Sequence, residues 1–280
     1  QDPASVVDVD GRCLLPEGPV AEAWAALRRS WGPGARHLPS GAELHLTLRA
    51  NHRGDVLVLV RGGRGRGNPE LLLERAPPVR AIWKAFGRKG GLPRLLAGAE
   101  RLKEEWYGDL LDLVPEAFLQ GNREAAKRLH DAVLGELREV RGKRLVDAYC
   151  GFGLYGLVSA RRGASAVGIE SDPSGLQMAG GLGAEGFRIL AGTVQERLPE
   201  ALPADLVVLN PPRCGIAPGV AGMLVTGVTG RIVYVSCDPA TLARDVRRLG
   251  GSFEIRRLQV FDLFPQTAHV EVVLTLDRSR

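Results

Sequence analysis

Arg144-Leu-Val-Asp-Ala-Tyr149-Cys150-Gly151-Phe-Gly153-Leu-Tyr-Gly156 leads a short apolar run into a glycine-spaced turn and then into a second apolar stretch. The spacing satisfies G-x-G-x-x-G at a strand-to-helix junction. Glycine there lets the backbone approach a ligand, and the helix N-terminus favours a negative group. About 20 residues on, Glu170 ends the next strand-like run, where a carboxylate can accept hydrogen bonds from both hydroxyls of a ribose.

Outward from this turn, strand-like runs recur at 144–149, 166–170, 187–190, 206–209, 231–235, 253–260 and 270–276. A helical pattern over 122–140 precedes them, with Ala125, Leu129, Val133, Leu137 and Val140 in phase. The alternation predicts an α/β fold, a doubly wound, mostly parallel sheet of seven strands covered on both faces, over residues 106–280. Residues 1–105 read differently, as a smaller α+β domain. A helix over 19–29 places Val20, Trp24 and Leu27 on one face. Leu44, Leu46 and Leu48 alternate with polar residues, a turn follows from Asn51 to Asp55, and 56–60 runs apolar, predicting a hairpin. Arg61-Gly-Gly-Arg64-Gly-Arg66 reads as a flexible basic connection, and Arg80, Lys84, Arg88, Lys89 and Arg94 as a solvated face that could also track phosphates.

Composition narrows the class. No apolar run approaches the ~20 residues of a membrane span, so no membrane partner is expected. The chain begins Gln1-Asp-Pro-Ala, without Met or a secretory pattern, and is expected to have been cut or processed at its start. Cys13, Cys150, Cys214 and Cys237 are dispersed, which points to a reduced, cytoplasmic protein rather than a disulfide scaffold or a clustered metal site, so no metal is expected. A net charge of +5 and a pI near 9.3 suit an anionic partner such as RNA. Only 5 of the 37 basic residues are lysine, however, and an arginine-rich composition can equally reflect a biased genome. Nothing suggests an extended apolar interface, and a monomer is expected.

The turn alone fits the pyrophosphate of a nicotinamide cofactor or the carboxylate of S-adenosylmethionine. Leu209-Asn210-Pro211-Pro212-Arg213 follows the fourth strand, at the carboxyl edge where doubly wound sheets bind ligands, and favours methyl transfer over hydride transfer. Asn-Pro-Pro followed by an aromatic residue marks methyltransferases acting on amines, but Arg213 cannot stack on a base as a tyrosine would, and it can pair with phosphate. Tyr234-Val-Ser-Cys237-Asp-Pro239 then puts a cysteine at a strand end, and Asp262-Leu-Phe-Pro-Gln-Thr-Ala-His269-Val-Glu271 supplies a late, isolated glutamate. These are the groups needed to methylate C5 of a pyrimidine. A thiolate adding at C6 makes C5 enolate-like, and a base must afterwards remove the C5 proton so that the cysteine can leave.

With Gln120, Asn210-Pro-Pro-Arg213, Cys237 and Glu271 together, the chain resembles the RNA 5-methyluridine methyltransferases that act on tRNA and 23S rRNA, from about Pro115 to Leu276. Phe118-Leu-Gln120-Gly-Asn122 matches the family's Phe-x-Gln-x-Asn segment, Tyr234 to Asp245 its nucleophile segment, and Phe264-Pro to Glu271 its base segment. The resemblance implies a Rossmann-like class I methyltransferase domain, S-adenosylmethionine as cofactor and an RNA substrate, 23S rRNA or tRNA. It implies Cys237 and Glu271 as catalytic residues. Gln120, Tyr149, Gly151, Gly153, Glu170, Thr193 and Asn210 would lie against the cofactor, and Asn210, Arg213 and Arg244 against the RNA. Gly11-Arg12-Cys13-Leu-Leu-Pro resembles the end of the family's central domain, where some members place the last of four cysteines of an iron–sulfur cluster. The other three are absent, so no cluster is expected and Cys13 is read as a small buried residue. The family's N-terminal RNA-binding barrel is not represented.

Departures from the pattern set further expectations. Asn210 stands where relatives usually carry Asp; its carboxamide suits uracil and, turned over, cytosine. Leu154 and Thr193 replace polar residues that touch the cofactor in relatives, which predicts weaker binding. Asp238 beside the cysteine is expected to raise the thiol's pKa. Cys150 and Cys214 are read as packing residues and His269 as a structural partner of a neighbouring group. An amine methyltransferase that does not need Cys237, a non-catalytic RNA-binding relative and a nicotinamide oxidoreductase remain the alternative readings.

Overall fold

The computed structural model describes residues 13, 15–86, 93–265 and 267–279, and the chain divides after Glu105 into two compact units. Gly11, Arg12, Leu14, Arg88 and Lys89, singled out above, lie outside the described residues.

In the first unit, helix α1 (Gly18–Ser30) precedes strands β1 (Ser40–Ala50) and β2 (Val56–Arg64), helix α2 (Pro69–Arg75), and strands β3 (Val79–Lys84) and β4 (Arg94–Gly98). The sheet order is β1-β2-β3-β4, with β2 and β3 parallel and the outer pairs antiparallel. The predicted hairpin is present, and its turn is closed by the Asn51 carboxamide oxygen, which accepts from the amides of Arg53 (3.0 Å) and Asp55 (2.9 Å). Ala23, Ala26 and Leu27 form the buried face of α1; Val20 and Trp24, assigned to that face from the sequence, are only half-buried.

Two readings are corrected here. Arg61-Gly-Gly-Arg64 is no flexible connection but the second half of β2, with Gly62 opposite Leu44 and Arg64 opposite Ser40. Gly62 has φ +86°, and a Cβ there would lie 2.5 Å from the Glu43 carbonyl oxygen, so only glycine lets the strands approach this closely. Lys84 is likewise no surface charge: it is 3% exposed, and its ammonium donates to the carbonyls of Gly63 (3.0 Å) and Gly65 (2.7 Å), satisfying the glycine-rich end of β2. Two short paired strands, β5 (Lys103–Trp106) and β6 (Asp109–Asp112), fall where one unit gives way to the next.

In the second unit, beyond β6, helix α3 (Arg123–Glu136) is capped by the Asn122 side chain, which accepts from the Ala125 amide at 3.0 Å. Strand and helix then alternate: β7 (Arg144–Ala148), α4 (Leu154–Arg161), β8 (Ser165–Glu170), α5 (Pro173–Ala179), β9 (Phe187–Ala191), α6 (Val194–Ala201), β10 (Ala204–Leu209), α7 (Pro218–Gly227), β11 (Val228–Ser236), α8 (Pro239–Leu249), β12 (Phe253–Phe261) and β13 (Glu271–Arg278). The strands lie in the order β12-β13-β11-β10-β7-β8-β9. Neighbours from β11 through β9 pair in parallel, and β13 inserts antiparallel between β11 and β12. Alternate residues feed two cores, Leu145, Val208 and Val233 on one face and Val146, Val207 and Ile232 on the other, so both faces are covered. This is the predicted doubly wound sheet.

Topology places the chemistry. The chain leaves β7 toward β8 on one side and reaches β10 on the other, which opens a crevice at their carboxyl ends. Antiparallel β13 begins at that same edge: Ser236 pairs with Val272, which brings Cys237, just past β11, beside Glu271, the first residue of β13.

Candidate active site

The glycine turn is organised by two carboxylates. Glu170, at the end of β8, accepts from the amide of Gly151 (2.7 Å) through one oxygen and from those of Ser171 (2.7 Å) and Asp172 (2.6 Å) through the other. It thereby ties the turn after β7 to the start of α5, and the oxygen that takes only the Gly151 amide keeps a lone pair for a ligand hydroxyl. Asp147, within β7, is fully buried; one oxygen accepts from the Gly156 amide at 2.9 Å, and the other has no hydrogen-bond partner among the described residues. Burial pushes its pKa up to about 7, against the lowering effect of the Gly156 hydrogen bond.

The glycines divide their work. Gly151 has φ +57°, and a Cβ added there meets nothing within 4 Å, so its face is open to a ligand. Gly153 and Gly156 instead make room for a side chain: an added Cβ would lie 2.5 Å and 2.4 Å, respectively, from ring atoms of Phe187 on β9. Of the two glycines assigned to the cofactor, Gly153 therefore serves packing. Tyr149, at the head of the turn, holds φ +59°, a conformation rare for a bulky residue and typical of functional turns. Burial pushes its phenol up to about 12.

At the other side of the crevice Cys237, Arg213, Glu271 and Gln120 converge. The Cys237 thiol is raised above its ordinary pKa by burial and then by the Glu271 carboxylate, while the charge and hydrogen bond of Arg213 act in the opposite direction. Glu271 is 5% exposed, and burial raises its pKa against a hydrogen bond from Gln120 and the positive charge of Arg213. The amide oxygen of Gln120 is buried without a partner among the described residues. The backbone amide of Asn210 donates to the Ala148 carbonyl at 3.3 Å, which sets Asn210 at the mouth of the β7–β10 crevice.

Other expectations change. Asp238 is not among the causes of the raised thiol pKa, although the direction is as anticipated: its carboxylate accepts from the amides of Ala240 and Thr241, each at 2.9 Å, and caps α8. The Thr193 hydroxyl sits in a capping box, donating to Glu196 at 2.8 Å, and opens α6 rather than presenting a free hydroxyl to a cofactor. Leu154 is buried as the first residue of α4. Arg244 is committed to Asp245 (3.0 Å) and to the carbonyl of Cys214 (2.5 Å), which leaves Arg213 as the guanidinium facing the thiol. Cys214 is exposed rather than packed, Cys13 is half-buried, and the His269 ring meets Phe264 edge to face at 6.4 Å. Asp147 and Phe187 were missed. A charged residue inside an otherwise apolar strand was a signal for the first; the second carried none, because its ring meets glycines more than thirty residues away.

The residues fit S-adenosylmethionine. The open face of Gly151, the carboxylate of Glu170 and two buried acceptors without partners, on Asp147 and Gln120, surround the crevice, and the cofactor's hydroxyls and ammonium are donors of the kind such acceptors need.

Comparison with known proteins agrees with the sequence resemblance. The family described as tRNA (Uracil-5-)-methyltransferase matches residues 196–279. An uncharacterized RNA methyltransferase of Gloeobacter violaceus is 42% identical over 195 residues, 68% of this chain and 42% of that protein. One of Nostoc is 33% identical over 273 residues, 89% of this chain and 58% of that protein. The chain thus spans about half the length of these curated relatives. Among solved structures, the tRNA (uracil-54, C5)-methyltransferase of Pyrococcus abyssi in complex with S-adenosyl-L-homocysteine superposes with a TM-score of 0.75, at 24% identity, over 97% of this chain and 70% of its own. The fold is that of a class I methyltransferase.

Proposed function

Because this chain is a relative of the tRNA (uracil-5-)-methyltransferases, matching them over residues 196–279, we propose that it methylates C5 of a uridine in structured RNA, tRNA or 23S rRNA, with Cys237 as nucleophile and Glu271 as base. The observation that carries this reading is the meeting of Cys237 and Glu271 at the carboxyl edge of the sheet through the antiparallel insertion of β13, with Arg213 against the thiol.

A uridine flipped out of the RNA enters the crevice, and the Cys237 thiolate adds at C6, leaving C5 enolate-like. Arg213 holds the thiolate form within reach before addition. When bound, S-adenosylmethionine would be held by Glu170, Gly151, Gln120 and Asn210 and would supply an electrophilic methyl group to C5, with S-adenosylhomocysteine as the leaving group. Glu271, its carboxylate oriented by the Gln120 amide, then removes the C5 proton. The electrons of that C–H bond re-form the C5=C6 double bond and expel the cysteine. Glu271 is suited to this task because burial raises its basicity while Arg213 and Gln120 keep its ionised form available.

Single-turnover methylation of unmodified tRNA and 23S rRNA with labelled S-adenosylmethionine, followed by nucleoside analysis, tests the proposal. Label is expected in 5-methyluridine and is expected to vanish with Cys237→Ala. Label in an N-methylated base that survives the substitution would instead support the amine methyltransferase reading.

A further inference from the structure

Asp245 lies on α8, two turns beyond the proposed nucleophile, and is fully buried. One carboxylate oxygen accepts from the amide of Ile216 (2.9 Å) and the hydroxyl of Tyr234 (2.8 Å), and the other from Arg244 (3.0 Å) and Arg248 (3.0 Å). The two arginines continue to the same loop: Arg244 donates to the carbonyl of Cys214 and Arg248 to that of Ile216. Gly215 lies flat against this cluster, since an added Cβ would sit 2.2 Å from the Asp245 carboxylate. The segment 214–216 is therefore bound to α8 and β11 through a single carboxylate, and Arg213 is the residue immediately before it. Tyr234, the one partner on β11, stands three residues before Cys237.

We propose that Asp245 is the positioning residue that holds Arg213 against the Cys237 sulfur, so that a buried carboxylate touching neither substrate nor cofactor sets how readily the nucleophile ionises. This rests on the reading of Cys237 as the nucleophile. Four hydrogen bonds on one buried carboxylate define a unique loop position, and releasing the Ile216 amide or the Tyr234 hydroxyl leaves a buried donor without its partner. Through-space charge acts in the opposite direction: deleting a negative group near a thiol favours the thiolate. The sign of the change thus separates positioning from simple electrostatics.

The test is the pH dependence of iodoacetamide alkylation at Cys237 in the full chain, resolved by peptide mass spectrometry so that Cys13, Cys150 and Cys214 are scored separately. Asp245→Asn is expected to move the Cys237 profile upward by about one pH unit, which is about tenfold slower alkylation below the transition. Arg213→Gln should move it in the same direction, and the double variant no further, because both remove one contact. Tyr234→Phe, which removes a single partner, should give a smaller upward shift and carries the test if Asp245→Asn fails to fold. An unchanged or downward profile in folded variants, or additive shifts in the double variant, would overturn the proposal. Methylation that persists in Cys237→Ala would count against the nucleophile reading alone, whereas a flat profile in an enzyme that depends on Cys237 would count against the positioning role alone.

Discussion

Gly156→Ala separates the packing role of the glycine turn from its binding role. Within α4, replacing glycine by alanine gains about 1 kcal/mol of helix propensity. Against this, the new Cβ would stand 2.4 Å from Phe187 Cε2 and 3.0 Å from Cδ2, where carbon atoms rest at about 3.5–4.0 Å. The ring must retreat by about 1 Å from a place where it packs on bare glycine backbone, since a Cβ added at Gly153 would lie 2.5 Å from it and one at Gly168 3.4 Å. Overpacking of this kind costs about 1–3 kcal/mol, and more when the neighbour cannot move. The expected net effect is a loss of about 1–2 kcal/mol, read as a fall of about 2–8 °C in Tm by circular dichroism. Phe187→Leu should be less damaging in the Gly156→Ala background than alone, with a coupling of about 1 kcal/mol. Gly151→Ala, where open space leaves only the positive φ to strain, should weaken S-adenosylhomocysteine binding in calorimetry with a smaller loss of Tm. A Gly156→Ala protein that melts higher than the wild type, as helix propensity alone requires, would refute the packing argument.

Two titrations follow from the buried acids and the thiol. In the proposed mechanism Cys237 and Glu271 both act deprotonated, and burial raises both, so single-turnover methylation should climb with pH through the neutral range and reach its plateau above the ordinary thiol range; a plateau already complete in mildly acid solution would contradict this assignment. Asp147 has a folded-state pKa near 7, above its unfolded value, so the folded protein holds the extra proton between about 4 and 7. Its contribution to stability is fully present below the unfolded pKa and is lost as pH rises through 7. Urea denaturation across that window should show a downward slope for the wild type that is absent from Asp147→Asn, and equal slopes in the two proteins would count against it.

The sheet was legible because each strand is a short apolar run and the connections carry helical periodicity, signals that survive without tertiary context. So was the pairing of Cys237 with Glu271, since each belongs to a segment with its own pattern. What escaped is non-local. Lys84 looks like one more member of a basic stretch, and nothing near it in sequence announces the carbonyls of Gly63 and Gly65 that bury it. Arg61-Gly-Gly-Arg64 carries loop residues and becomes strand only because β1 supplies partners. Phe187 accounts for two of the three turn glycines through a contact in three dimensions, and Thr193 and Asp238, polar residues near the crevice, are held by helix ends. Arg213 and Arg244 look equivalent as cations in the sequence; Asp245 makes one a tether and leaves the other facing the thiol.

The central claim is that Cys237 bonds to the pyrimidine and Glu271 releases it. Glu271→Gln, incubated with unmodified RNA and labelled S-adenosylmethionine, should accumulate a denaturation-resistant protein–RNA adduct that carries the label, and digestion should map the bond to Cys237, because C5 has taken the methyl group and cannot lose its proton. Free methylated RNA at the wild-type rate without an adduct, or an adduct mapped to another cysteine, would contradict the account.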